Sequence, residues 1–312
     1  MANAAVTVGA PSSGMKRFDL KVVMAFLAIY FLWGTTFLAI RIAVHEVPPL
    51  FAAGVRFFTA GILLYGFMRV RGTVGPTRLE WRNLAVIGLV MFVAEYGPLF
   101  WAEKYLTSGV TSILAATIPL ITIALEMLAF RLLPFRWSLL GATLLGFFGV
   151  AVLVMPSGGD VARDIPLVPC VAVLLGSVGW SLGSVLQRRM EVPSSRPLTS
   201  GATMMLGGGG LFLVSGLFGE LHPFPHVSLR GGLALAYLIT CGSLLAFTAY
   251  VWLLGRMSAS KISSYAYVNP VVAVALGYFV AGEQLTAHAL VGATVVLISV
   301  FLILRLNRSA KA

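Results

Sequence analysis

The chain has 312 residues, 59% of them hydrophobic and 11% charged, with a formal net charge of +11. A soluble domain carries roughly 25% charged residues, so this chain lacks the polar groups to cover a water-facing surface and reads as an integral membrane protein. Its excess Lys and Arg then belongs to cytoplasmic loops, not to a nucleic-acid face, and no nucleic-acid partner is expected.

The first 19 residues hold no apolar core of a signal peptide. A bilayer core needs roughly 20 apolar residues as helix. Ten stretches qualify: 20–43, 49–70, 81–102, 105–130 and 137–155, then 166–187, 197–218, 231–254, 262–281 and 287–304. Lipid leaves the backbone no partner but itself, so these ten spans are helices. The fold class predicted is an all-α membrane protein of ten transmembrane helices. Its connections are short, and only the outside loops 156–165 and 219–230 are longer. With the N-terminus inside, 17 of the 22 Lys and Arg residues fall in cytoplasmic segments. Arg41, Lys104, Arg163 and Arg230 fall outside, and Arg56 lies within span 2. That bias predicts cytoplasmic N- and C-termini.

The chain also repeats itself. At an offset of 151, Pro119 falls on Pro270, Trp101 on Trp252, and Gly141-Ala142-Thr143 on Gly292-Ala293-Thr294. At 147, Trp33 falls on Trp180 and Arg41 on Arg188. At 148, Pro49-Leu50 falls on Pro197-Leu198. A duplication explains these matches. Five spans is an odd number, so the second copy enters the membrane from the opposite side. The halves, 1–155 and 156–312, are expected to be inverted repeats, an architecture of secondary transporters with a midplane site between the copies.

Several residues stand out within the spans, each with a bland reading beside it. Glu95 lies well inside span 3. A carboxylate there is costly, so it relays protons, meets a substrate amine, or is a protonated or Arg-paired structural acid. Arg56 either snorkels outward or pairs with Glu95. Glu126 lies near the end of span 4, where the interface or Arg131 can satisfy it. Trp81, Trp101, Trp137 and Trp252 fall near span ends, as an aromatic belt requires. Trp33 and Trp180 lie too deep for that belt and either wall a cavity or pack helices. Trp101, at an outer mouth, is a lesser cavity candidate. Tyr265 and Asn269 share one face of span 9. Tyr96 and Tyr250 could add hydroxyls or merely pack. Pro119 and Pro270 kink matching helices and are candidate hinges, unless neighbours seal the kinks. The run Gly207 to Gly210 is read as close helix packing. Cys170 and Cys241 read as small core residues, and no metal or cofactor is expected.

Gly179-Trp180-Ser181-Leu182-Gly183 fits the G-x-S-x-G of serine hydrolases. That motif needs a strand-to-helix elbow, and here it lies within a span. His45, His222 and His226 fall in loops, His288 at a mouth, and Asp19, Asp160 and Asp164 outside the spans, so no base reaches membrane depth. An enzyme is not expected.

In order and spacing, the chain resembles the drug/metabolite transporter superfamily in its EamA branch, over almost its whole length. The residues that carry the likeness are Trp33-Gly34-Thr35-Thr36-Phe37, Pro49 with Arg56, Thr117-Ile118-Pro119-Leu120, and Gly141 with Gly149. In the second half they are Asn269-Pro270, Glu283-Gln284-Leu285 and Gly292. It is also similar to the YddG-type amino-acid exporters. Where the family often has Glu-Arg-Leu after span 4, this chain reads Phe130-Arg131-Leu132-Leu133, so only Glu283 can do what that acid does. The resemblance implies export of a small-molecule substrate, amino acids above all, from a multi-pass bacterial-type inner membrane. A wall rich in aromatics with few fixed charges suits neutral or aromatic zwitterions. Efflux of drugs or other metabolites, nucleotide-sugar-like exchange and a passive channel are the alternatives. Membrane lipid is the expected surround, and coupling to protons stays open.

Overall fold

A computed structural model of the chain describes residues 20–131, 135–153, 165–221, 226–257, 259–283 and 287–308. No strand occurs among the described residues. Their helices are α1 Leu20–Val44, α2 Pro49–Val70, α3 Arg78–Ala102, α4 Ser108–Ala129 and α5 Trp137–Leu153. They continue with α6 Leu167–Arg189, α7 Arg196–Leu217, α8 Leu229–Leu254, α9 Tyr265–Ala281 and α10 Ala287–Arg308. Seven are long and apolar enough to cross a membrane, and shorter apolar helical stretches run over Trp137–Leu153, Val268–Ala281 and Leu290–Ile303. The expected junction at 155 and 156 lies outside the described residues, as do Asp19, Asp160, Asp164, Arg163, His222, Leu132, Leu133, Gln284 and Leu285. So does the His288 side chain.

Local chemistry sets the helix ends. α3 begins three residues before the expected span because Thr77 and Glu80 form a capping box. Glu80 N donates to Thr77 Oγ1 at 3.2 Å, and Thr77 N to Glu80 Oε2 at 2.7 Å, so two orphan donors are satisfied reciprocally. Thr107 and Ser228 cap α4 and α8 in the simpler way. α9 ends at Gly282, whose φ of 65° a side chain would resist.

Several helix pairs pack backbone to backbone, α3 with α7 at Gly88 and Gly207 and α3 with α6 at Gly176 and Gly179 among them. On α2 and α7, a Cβ added at Gly61 or Gly208 would run into the main chain of Met205 or Phe58. The glycines of α7 are therefore packing residues, as small residues in apposed membrane helices are. α5 and α10 meet likewise at Gly149 and Gly292, where Ser299 Oγ also donates to Ala142 O at 2.5 Å. Both Cys170 and Cys241 are free.

Four helices widen into π-helical turns: Ala28–Leu32 in α1, Leu89–Tyr96 in α3, Leu125–Ala129 in α4 and Leu238–Phe247 in α8. Such a turn throws backbone carbonyls out of the regular ladder and re-aims side chains. Shifted by 151, residues 89–96 fall on 240–247, inside the π stretch of α8.

Candidate functional site

A cavity lies among α1, α3, α4, α6 and α9. α1 contributes Trp33, Thr36, Phe37 and Ile40, spaced to share one helical face. α3 gives Glu95, Tyr96 and Leu99, and α6 gives Trp180. The two proline-bearing helices supply the rest. α4 is interrupted at Ala116 and Thr117, next to Pro119, and presents Ser112, Ala115, Ala116 and Ile118. α9 presents Tyr265, Ala266, Asn269 and Pro270. Proline lacks the N–H that would pair with the carbonyl four residues back. Those positions are Ala115 and Ala266, and both line the cavity.

Of the residues singled out in the sequence, Trp33, Trp180, Tyr265, Asn269, Glu95 and Tyr96 thus share one wall, with Pro270 beside them. The repeat-equivalent indoles meet directly, with ring centroids 5.4 Å apart and edge-to-face. Trp33 also packs on Tyr265 at 5.1 Å. Tyr250 stands behind the wall, 5.1 Å from Trp33 and 5.0 Å from Trp180, its hydroxyl 2.8 Å from Ser184 Oγ. Trp101 lies elsewhere, packed on Tyr105 at 5.2 Å. Pro119 neighbours the wall residue Ile118 without joining the wall.

The polar groups of the wall differ in what they have left to offer. Trp33 Nε1 donates to Gly242 O at 3.1 Å, a carbonyl in the π stretch of α8. With its amide nitrogen turned toward the carbonyls, Asn269 donates to Tyr30 O at 2.8 Å and Ile29 O at 3.2 Å, both in the π turn of α1. Glu95 Oε2 and Trp180 Nε1 are buried without a well-formed hydrogen bond among the described residues, although the Trp180 side chain interacts with the Tyr250 and Tyr265 hydroxyls. Buried polar groups are normally paired, so the Glu95 acceptor is open to a ligand, and the Trp180 donor is held only loosely.

Arg56 does neither of the things expected of it. It is fully buried rather than snorkelled, and no carboxylate lies within ion-pair distance of it among the described residues. Its Nε donates to Ser243 Oγ at 3.0 Å, and its guanidinium lies 4.5 Å and 5.2 Å from the ring centroids of Phe57 and Tyr96. Glu126 lies 3.9 Å from Arg188. Ser181 of the G-x-S-x-G run donates to Ile118 O at 3.2 Å, tying α6 to the broken part of α4.

The cavity volume is about 40 Å³. That admits a few waters, whereas a drug-sized ligand needs roughly 300–1,000 Å³. The central space is therefore too small for such a ligand as it stands, and a substrate fits only if helices move. The wall residues that sequence reasoning passed over, such as Phe37, Ile40 and Leu99, carry no chemical signal of their own. Only their spacing from Trp33 and Glu95 could have found them.

Residues 20–155 and 167–305 match the model of the EamA-like transporter family. The inner membrane transporter YedA of Escherichia coli strain K12 is 35% identical over 283 residues, covering 89% of each chain. A probable amino-acid metabolite efflux pump of Salmonella typhimurium is 25% identical over 284 residues, covering 88% of this chain and 92% of that one. A solved crystal structure superimposes with a TM-score of 0.66 at 18% identity, over 94% of this chain and 99% of the other, a likeness of fold.

Proposed function

The chain belongs to the EamA-like transporter family, and from that premise we propose that it exports small amphiphilic metabolites, neutral and aromatic amino acids first, by alternating access. It is an integral, multi-pass inner-membrane transporter and not an enzyme. The observation that carries the substrate reading is Glu95, a buried carboxylate with one oxygen unpartnered, on a wall otherwise built from Trp33, Trp180, Tyr96 and Tyr265. A substrate ammonium satisfies the carboxylate, and rings pack the side chain beside it. The efflux-pump relative supports the amino-acid reading.

Alternating access follows from the halves, 1–155 and 156–312, acting as inverted repeats with both termini cytoplasmic. Several features support this reading. The repeat-equivalent pairs α2 with α7 and α5 with α10 each pack backbone to backbone. Trp33 touches Trp180, and both kinked helices face the cavity. On this orientation the end of the bundle bearing Arg41 faces outward.

Organic cations are the second reading, because the wall pairs a carboxylate with aromatic faces and carries no Lys or Arg. A panel of amino acids and their decarboxylated amines, offered to proteoliposomes with and without a pH gradient, separates the two. Zwitterions should be carried in preference to amines. Glu95→Gln should abolish gradient-driven flux while leaving substrate exchange measurable. Preference for the amines would overturn the amino-acid reading, and unchanged gradient-driven flux in Glu95→Gln would remove Glu95 from the mechanism.

A further inference from the structure

Three helices that wall the cavity carry, one turn beyond a wall residue, a side chain of a second cluster. On α1, Phe37 is followed at i+4 by Arg41. On α3, Leu99 is followed by Glu103. On α4, Ser112 is preceded at i−4 by Ser108. One turn is about 5.4 Å, so this cluster roofs the cavity.

Glu283, just past α9, ties the roof together. Its carboxylate accepts from Ser108 N at 3.0 Å, Ser108 Oγ at 2.9 Å and Gly109 N at 3.3 Å, at the N-terminus of α4. Arg41 Nε lies 3.3 Å from Glu283 Oε1, and Arg41 also donates to the Leu106 carbonyl. Glu103 stands apart from these bonds. It is 0% exposed, and neither carboxylate oxygen has a hydrogen-bond partner. The charged groups that act on it are Arg41 and Glu283, while its chain neighbour Lys104 is exposed. Two carboxylates thus compete for one guanidinium, and Glu283 has it. A buried carboxylate with no hydrogen-bond donor, whose one nearby cation is already paired with another acid, is neutral.

We propose that Glu103 is a proton-binding switch on this roof. While the roof is closed Glu103 carries a proton and Arg41 is bound to Glu283. When the roof opens, water reaches Glu103, its O–H bond breaks, the proton leaves to water, and the carboxylate draws Arg41 away from Glu283. This rests on the alternating-access reading above, and it concerns regulation of that site. The proton returns to the side it came from, so the switch gates transport without energising it.

The sign follows from burial. Burial holds the Glu103 carboxyl well above the usual carboxylate range, Arg41 opposes that push, and Glu283 adds to it. The closed roof therefore binds the proton more tightly than the open one. Low pH stabilises closure, and that stabilisation fades as pH rises through the closed-state value. Arg230 and Glu46, the latter accepting from Ser228 N and Oγ, also line the space beside Arg41; the remaining titratable group there is His45. Burial, then the charges of Arg41 and Lys104, hold it below the ordinary imidazole range.

The test is outside labelling of Ser112→Cys in the full chain, in proteoliposomes, with Cys170 and Cys241 replaced by alanine. Rates are normalised to exposed Val227→Cys, which removes the pH dependence of the thiol itself. Labelling should quicken about tenfold per pH unit as Glu103 releases its proton. Glu103→Gln should stay slow at every pH, Arg41→Gln fast at every pH, and His45→Asn should follow the parent profile. If Glu103→Gln does not accumulate, Glu103→Met removes the charge at similar volume and gives the same reading. The proposal is overturned if the neutral variants keep the parent profile, if His45→Asn abolishes it, or if Arg41→Gln leaves Ser112→Cys protected. Labelling needs no substrate, so a failed substrate panel and a failed switch are distinguishable.

Discussion

Trp33 and Trp180 are repeat equivalents in ring contact, yet the structure gives them different work. Trp33 Nε1 is committed to Gly242 O, while Trp180 Nε1 makes no well-formed bond and interacts only loosely with the Tyr250 and Tyr265 hydroxyls. Replacing each by phenylalanine therefore separates packing from binding. Trp180→Phe keeps an aromatic ring against Trp33, Tyr250 and Tyr96, whose centroids lie 5.4, 5.0 and 5.9 Å away, and breaks no well-formed hydrogen bond. What it removes is a donor for the substrate. A neutral hydrogen bond is worth about 0.5–1.5 kcal/mol net, which is roughly a 2- to 12-fold rise in apparent Kd. The melting temperature should hold. Trp33→Phe strands the Gly242 carbonyl inside the bundle, at a cost of about 1–3 kcal/mol, and should lower the melting temperature more than the affinity. Trp180→Ala is the less informative change, since a Trp→Ala deletion in a packed core costs about 3–5 kcal/mol. The assay is the ligand-induced thermal shift in detergent, read beside equilibrium exchange in proteoliposomes. If Trp180→Phe melts early but binds normally, or if Trp33→Phe is the variant that loses affinity, the division of roles is wrong.

Two further expectations rest on other parts of the molecule. In intact cells Val227→Cys should react with an impermeant thiol reagent, whereas Val74→Cys, 83% exposed in the loop between α2 and α3, should react only after permeabilisation; the reverse pattern would reverse the orientation drawn from the Lys and Arg bias. Gly61→Ala should lower the melting temperature, because even one methyl drives into the Met205 backbone and overpacking costs about 1–3 kcal/mol. Gly66→Ala, on the same helix with nothing within 4 Å, should gain roughly 0.5–1 kcal/mol from helix propensity instead, and equal behaviour of the pair would refute close α2–α7 packing.

Most helix positions were legible, because apolar runs of spanning length leave the backbone few choices. The ends were less so, and α3 shows why: the Thr77–Glu80 box extends it into a polar stretch that hydropathy discards. Among the residues that line the cavity, Glu95 announced itself by its cost at membrane depth and the two tryptophans by lying too deep for an aromatic belt. Trp101 looked similar and lies elsewhere, because position near a mouth does not fix which way a ring points. The π-helical turns left no mark in composition, although they supply the carbonyls that hold Trp33 and Asn269. Arg56 was misjudged for a related reason. Its room comes from Gly242, where a Cβ would stand 2.8 Å from the guanidinium, and from Ser243, both on a helix far away in sequence.

The corresponding arginines show how a repeated scaffold can hold two ion pairs without holding them alike. Arg41 and Arg188 correspond at an offset of 147, and each lies near a carboxylate. Arg41 is 3.3 Å from Glu283, whose side chain is 6% exposed and which also caps α4. Arg188 is 3.9 Å from Glu126 and is itself 36% exposed. Exposure screens an ion pair, and a longer contact weakens it. Glu283 draws in addition on backbone donors at a helix N-terminus, where a negative charge is favoured. Its counterpart at an offset of 151 is Leu132, which offers no acceptor in its side chain. Glu95 has the same one-sidedness, with Ala246 as its counterpart. Duplication supplied two equivalent halves, and single substitutions made them unequal. One half carries the carboxylate that lines the cavity, and the other carries the carboxylate that bonds Arg41 and the start of α4. On the alternating-access proposal, moving one half against the other would change both groups in the same step.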